Sequence, residues 1–380
     1  MKSKTKTAVI NASAGGAKVR SRLGALPEHY AKLGLQKGDI AQWEDGTRTN
    51  SGERGTYEWW YFDAHLEDGT NLVIVFYTKP LMSPQCPPDP NIAFDLNTPD
   101  GKKYSEVYRP AKGEVFTASK ESCDVRIGSC YFKGNLREYE IYCRTKTVEA
   151  KVTLKSNVPP WRPETGHIFF GDNDEHYFAW LPSVPEGVVQ AEITKDGQTF
   201  TLSGTGYHDH NWGNINMLKV MHHWYWGRAR VGDYRLITSY IWAEEKYGYN
   251  TFPIFMIAGE NKILADDGAK LCFSAEQEFI EKETGKPVHD LLVYDYRDGN
   301  TRYLISYKRR QSILNFLLVN SVSGVLRLLA KLSGFDGAYH RFTGGVIIER
   351  LEDGKVVEKL EAPALWELMY FGKARKIGIL

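Results

Sequence analysis

EWWYFDAHLED (58–68) and HWYWGRARVGD (223–233) decide the fold. Set against each other, Trp59 meets Trp224, Trp60 meets Tyr225, Tyr61 meets Trp226, Ala64 meets Ala229 and Asp68 meets Asp233. An apolar run follows each at nearly the same distance, NLVIVFY (71–77) and YRLITSYIW (234–242). Each stretch has the pattern of an aromatic strand, a tight turn and a returning strand. The echo predicts a duplicated β unit, one per half, with the boundary near 185–200.

Working outward, the same grammar recurs. Asp-Gly turns stand between apolar runs at 67–70, 99–102, 195–198, 298–301 and 352–355. Both positions of such a turn tolerate positive φ, which favours hairpins over alternating strand–helix units. The predicted class is all-β, with two antiparallel barrel or sandwich domains, 25–190 and 191–380, after a disordered basic arm at 1–24. Strand periodicity puts Glu58, Trp60, Phe62, Ala64 and Leu66 on one face of the first hairpin, and His223, Tyr225, Gly227, Ala229 and Val231 on one face of the second. These faces end in small apolar residues and are predicted to line the interiors. Glu58 and His223 then sit either at the mouth of an apolar interior or on a wet rim.

One segment departs from the pattern. In Gln311–Gly334, Leu314, Leu318, Val322, Val325, Leu329 and Leu332 recur at helical spacing, and Gly334 suits a C-cap. An amphipathic helix is expected there, as a packing helix, a lid over an apolar pocket or a peripheral membrane contact.

Composition narrows the function. The 380 residues carry 48 Lys+Arg against 47 Asp+Glu, so no basic excess points to nucleic acid. With 42% hydrophobic residues the chain can bury a sizeable core. Ten Trp, 22 Tyr and 17 Phe suit β-rich cores and apolar ligand pockets. The five Cys form no CxxC pair, and reduced thiols in a cytoplasmic protein are expected. The N-terminus lacks the apolar core of a secretory signal, and no run of 18 apolar residues spans a membrane. Walker, GxGxxG, EF-hand and HExxH motifs are absent, so no nucleotide or redox cofactor is expected.

Chemistry concentrates in GTGYHDHNWG (204–213). On an extended strand His208, His210 and Trp212 point one way and Tyr207 and Asp209 the other; the flanking glycines would permit a bulge that brings the two sets together. A zinc site wants three or four ligands, and no third follows His208 and His210 by spacing, so no metal is assigned. A hydrolase triad lacks its GxSxG elbow. Cofactor-free acid/base chemistry fits best. A carboxyl group in an apolar pocket has a raised pKa and can protonate a weak base, and aromatic faces stabilise the resulting cation.

EWWYF (58–62) with GYHDHNWG (206–213), supported by FAWLPSVPEGVV (178–189) and GFDGAYHRFTGG (334–345), resembles the lipocalin-like family of hydroxyneurosporene synthase (carotenoid 1,2-hydratase), AttH, kievitone hydratase and the fungal lipocalin-like Diels–Alderases. The resemblance implies two lipocalin-like domains with an apolar ligand pocket, acting on isoprenoid or polyketide substrates. It also implies a His-x-Trp pair, matched by His210 and Trp212, and a later Tyr-x-Asp pair, where this chain has Tyr240-x-Trp242. Without that second acid, cyclisation suits the site better than hydration.

The expected function is cofactor-independent cyclisation, isomerisation or hydration of an isoprenoid-like or polyene substrate by proton transfer. Asp209 is the expected acid, aided by His208 and His210. Tyr207, Trp212, Glu58, Trp59, Trp60, Tyr61, His223, Trp224, Trp226 and Tyr240 are the expected substrate contacts. The alternatives are a pericyclase that folds a polyene and a non-catalytic lipid or isoprenoid carrier.

Overall fold

The computed structural model describes residues 20–80, 83–321 and 335–371. The chain forms two compact units, one of Arg22–Asn216 with Glu260–Lys262, the other of the remainder. Each is built on one antiparallel sheet, of 13 strands in the first and nine in the second.

The two sheets share a plan. In the first, the aromatic strand Tyr57–Leu66 lies between its hairpin partner Asn71–Tyr77 and the unit's last strand, Gln198–Gly213. In the second, Met221–Val231 lies between its hairpin partner Tyr234–Ala243 and the last strand, Lys355–Tyr370. Pairing first strand with last curls each meander back on itself, as in a calyx, although each sheet keeps two end strands. Because Gly204–Gly213 pairs residue for residue with Leu66–Tyr57, the strand Gln198–Gly213 completes the first sheet. The units therefore divide after Asn216, beyond the 190/191 boundary expected from sequence.

Alternation builds the cores. Trp60, Phe62, Ala64 and Leu66 pack inward with Phe76, Phe94, Phe132 and Ile141. Tyr225, Leu236, Phe255, Tyr294, Tyr307 and Trp366 do the same in the second unit. Each fully buried side chain of this size stabilises the fold by about 1.5–3 kcal/mol. The turn at Asp196-Gly197 has φ of 51° and 75°, as a tight hairpin with right-handed strand twist needs.

Two further expectations change. Residues 20–24 of the expected arm are described, and Ser21–Leu23 forms a strand paired with His167–Phe170; the rest of the arm lies outside the described residues. The helix expected at 311–334 is not helical where it is described. Thr301–Leu317 is a strand paired with Ala338–Glu352, followed by a short 3-10 turn at Leu318–Ser321. Register shifts at Arg309/Gln311 and Ser312/Leu314 interrupt the strict alternation of this pair. Residues 322–334 lie outside the described residues. The α-helix among the described residues is Pro27–Leu33, with Pro at its start and Gly34 (φ 69°) closing it. No helix there is long and apolar enough to cross a membrane. All five cysteines are free thiols.

Candidate active site on two faces of one strand

The register between Gln198–Gly213 and Tyr57–Leu66 runs unbroken from Gly204 to Gly213. The irregularities lie on the strand's other side, between Leu181 and Gly187. No bulge therefore gathers the expected residues into one cluster. His208, His210 and Trp212 enter the calyx with Glu58 and Trp60. Tyr207, Asp209 and Asn211 face the opposite side, beside Tyr61 and Trp59.

The calyx face is a dry network of ionisable groups. Glu58 and both histidines expose no surface, and Asp45 exposes 1%. His210 Nε2 donates to Glu58 Oε1 at 2.8 Å, and its ring stacks on Trp60 with centroids 4.6 Å apart. Glu58 also accepts from the Thr47 hydroxyl (2.9 Å), the Arg48 amide (2.6 Å), and the Thr49 amide (3.0 Å) and hydroxyl (2.7 Å). Five donors on one carboxylate offset the cost of burying it. Tyr139 donates to Asp45 Oδ2 at 2.6 Å. His208 Nδ1 lies 2.9 Å from the Tyr61 carbonyl, which only accepts, so this nitrogen carries hydrogen. His208 Nε2 lies 3.1 Å from Asp45 Oδ2, and one hydrogen must lie between these two acceptors. Burial alone would raise the Asp45 carboxyl, but His208 and then His210 beside it hold it below its ordinary value. Asp45 Oδ1 and His210 Nδ1 are both buried without a hydrogen-bond partner and face each other at 3.5 Å.

Asp45, Cys123 and His208 also offer ligand atoms within 4.8 Å of one another. Within that group Asp45 Oδ2 contacts both Tyr139 and His208.

The opposite face is an aromatic nest around one carboxyl group. Asp209 Oδ2 accepts from Trp180 Nε1 and from the Tyr207 hydroxyl, both at 2.7 Å; Oδ1 accepts from Asn211 Nδ2 at 2.7 Å. Trp161 meets Trp180 edge-on at 5.9 Å, and Tyr61 meets Tyr207 edge-on at 6.2 Å. Burial pushes the Asp209 carboxyl up to about 6, against the pull of these donors and of His208. Asp209 is buried too, at 7% exposure against none for the two histidines.

The other expected contacts divide accordingly. Trp59 and Tyr61 share the face of Asp209, whereas Trp60, Trp212 and Glu58 belong to the histidine face. His223, Trp224, Trp226 and Tyr240 lie in the second unit. There His223 stacks on Trp242 at 4.1 Å, and burial holds its ring well below the ordinary histidine value. Tyr240 stacks on Phe273 at 4.2 Å and donates to Thr251 at 3.2 Å. Trp224 donates to Glu367 at 3.3 Å. Sequence reasoning missed Asp45 and Tyr139, which come from a 3-10 turn and a distant strand with no shared spacing. It quoted the stretch holding Trp180 without singling that residue out.

An antiparallel calyx sheet repeated in each half is a lipocalin-like architecture. This chain belongs to the Diels-Alderase-like family, whose model matches residues 47–284. It is similar to a quinolone epoxide rearrangement protein of Emericella nidulans, 26% identical over 193 residues, 48% of this chain and 53% of that protein. It is also similar to a hydroxyneurosporene dehydrogenase of Chlorobaculum tepidum, 27% identical over 213 residues, 46% of this chain and 54% of that protein. The matches thus span about half the length of these curated relatives. Among solved structures, CghA has a TM-score of 0.57 at 13% identity, over 84% of this chain and 90% of that one. A protein from Nitrosomonas europaea assigned as AttH has a TM-score of 0.53 at 14% identity, over 89% and 99%. These two likenesses concern the fold.

Proposed function

We propose that the protein is a cofactor-independent acid/base enzyme that rearranges, cyclises or hydrates a hydrophobic natural-product substrate, isoprenoid-like or polyene, with Asp209 as proton donor. The observation that carries this reading is the Asp209 carboxyl itself, buried among Trp180, Tyr207 and Asn211 and pushed up to about 6. At pH 7 about a tenth of such a group is protonated, and an acid near neutrality transfers its proton with little driving force lost. Nearby indole and phenol rings would stabilise a developing cation, by on the order of 1–2 kcal/mol each when desolvated. Relatives named for quinolone epoxide rearrangement and for hydroxyneurosporene support this class of substrate. Protonating an epoxide oxygen or an alkene carbon are steps of the same kind.

His208 and His210 then act as positioning residues, holding the strand from its other face. A second reading is a pericyclase, favoured by 23% identity to a Diels-Alderase of Pyricularia grisea over 224 residues. Such an enzyme gains its rate from proximity and orientation.

The test is turnover of a panel of epoxide-bearing, isoprenoid and polyene compounds, followed by mass spectrometry in H2O and D2O. Acid catalysis predicts an isomerised or hydrated product and a rate loss of about 10²–10⁴-fold in Asp209→Asn. Full activity in that variant removes Asp209 from the mechanism. A flat pH profile with no solvent deuterium at carbon supports the pericyclase, and unchanged ligand throughout supports a carrier.

A further inference from the structure

A cavity of about 630 Å³ lies in the first unit beside the segment that grips Glu58; Trp43, Thr47, Arg48, Thr49, Phe116 and Lys120 are among the residues that line it. Its volume falls within the range of small-molecule sites, roughly 300–1,000 Å³. It is independent of the Asp209 face, because Glu58 and Asp209 project from opposite sides of the paired strands.

We propose that this cavity is a second ligand site, built for a flat aromatic molecule carrying a carboxylate or phenolate. Trp43 and Phe116 supply aromatic walls. The Arg48 guanidinium lies over the Trp43 ring, 4.9 Å from its centroid. Arg48 Nε donates to the Gly46 carbonyl at 2.9 Å and Nη2 to the Lys120 carbonyl, which fixes the plane of the group and leaves Nη1 for a ligand. A planar cation held against an indole favours an oxyanion whose ring continues the stack.

Glu58, Glu44, Glu121 and Asp45 all attract the Arg48 charge, but the guanidinium's hydrogen bonds go to the Gly46 and Lys120 carbonyls and not to a carboxylate. Glu58 is occupied by its five donors. Glu44 pairs with Arg162 at 3.3 Å. Asp45 is bound to Tyr139 and His208. Glu121 remains, at the cavity with Lys120 to oppose it. The wall is also preorganised. Thr47, Arg48 and Thr49 all donate to Glu58, which His210 anchors from the calyx side, so little ordering is left to the ligand.

The test uses 2-naphthoate and its neutral analogue 2-naphthylmethanol, titrated calorimetrically into the whole protein. Naphthoate is expected to bind saturably at one site, with the neutral analogue at least tenfold weaker. Arg48→Gln keeps the backbone amide that Glu58 uses and is expected to weaken naphthoate at least tenfold. Trp43→Leu should do the same. Lys120→Glu, at an exposed position, should weaken it several-fold and keeps the test open if Arg48→Gln misfolds. Asp209→Asn should leave binding unchanged, so loss of this site and loss of the proposed activity are separable. Non-saturable binding, equal affinity for the neutral analogue, or indifference to both Arg48→Gln and Lys120→Glu overturns the proposal.

Discussion

His210 Nε2 lies 2.8 Å from Glu58 Oε1 across two paired strands, and neither residue exposes any surface. This contact joins the last strand of the first unit to its aromatic strand. Through Glu58 it also reaches the 47–49 segment. One buried carboxylate thus anchors three separate parts of the chain.

Glu58→Ala leaves five donors without their acceptor in a dry site. The expected loss is about 3–5 kcal/mol, as for other buried charged partners deprived of a mate. Glu58→Gln keeps the volume and one acceptor oxygen, and should lose about 1–3 kcal/mol. Urea denaturation measures both. In a cycle with His210→Leu the two losses should fall short of additive, because each substitution removes the same contact. Additive losses would mean that the contact contributes nothing of its own.

Asp209 sets a pH slope of known sign. Its carboxyl is pushed up to about 6 in the fold, from an ordinary value of 3.8, so the folded state holds the proton more tightly than the unfolded state. Stability therefore falls as pH rises through that window. Above pH 6 the buried carboxylate costs about 3 kcal/mol, from roughly two pKa units at 1.36 kcal/mol each. Asp209→Asn lacks this slope. The variant's stability relative to the parent should rise by up to that amount between pH 4 and 7, read by urea denaturation at each pH. A constant difference would show that the carboxyl is not held in the protonated form.

The duplicated hairpins were legible because strand identity rests on local pattern, in EWWYF and HWYWG alike. The alternation of His208, Asp209 and His210 was legible too, since period two is fixed by strand geometry. What joins the chemistry was not. Asp45 meets His208 across 163 residues of sequence, and Tyr139 meets Asp45 across 94. Trp180 reaches Asp209 only because Trp180 pairs opposite Asn211. The segment 311–317 misled because its one stripe residue, Leu314, reads together with the spacing that runs on through 318–332, whereas 311–317 continues the long strand Thr301–Leu317.

His167 gives the opposite pH sign. Burial lowers its ring to about 4, and its Nδ1 lies 2.8 Å from the Thr165 carbonyl. The folded state binds the proton less well than the unfolded state, whose value is 6.5. The stabilising contribution is complete above pH 6.5 and is lost as pH falls toward 4, up to about 3 kcal/mol. His167→Phe keeps a ring beside Phe169 and Trp212 and should flatten that acid loss, although the Thr165 contact goes. Melting temperatures at pH 7 and 4.5 for parent and variant give the comparison.

Gly204 tests how tightly the strand that carries Asp209 must sit against its partner. It pairs with Leu66, and a Cβ placed there would run into the His65 carbonyl and lie 2.8 Å from Leu66 Cα. Both obstacles are backbone, so relief requires the strands to separate. Gly204→Ala is expected to cost about 1–3 kcal/mol, the usual range for overpacking. Gly197 is a control of the other kind: a Cβ there meets nothing within 4 Å, but the residue has φ of +75°. Gly197→Ala should cost about 1 kcal/mol from backbone strain alone. Because strand separation at Gly204 propagates along the ladder, amide exchange at 206–210 should speed up in Gly204→Ala and stay unchanged in Gly197→Ala. Equal exchange in the two variants would mean that the close approach at Gly204 does not hold His208, Asp209 and His210 in register.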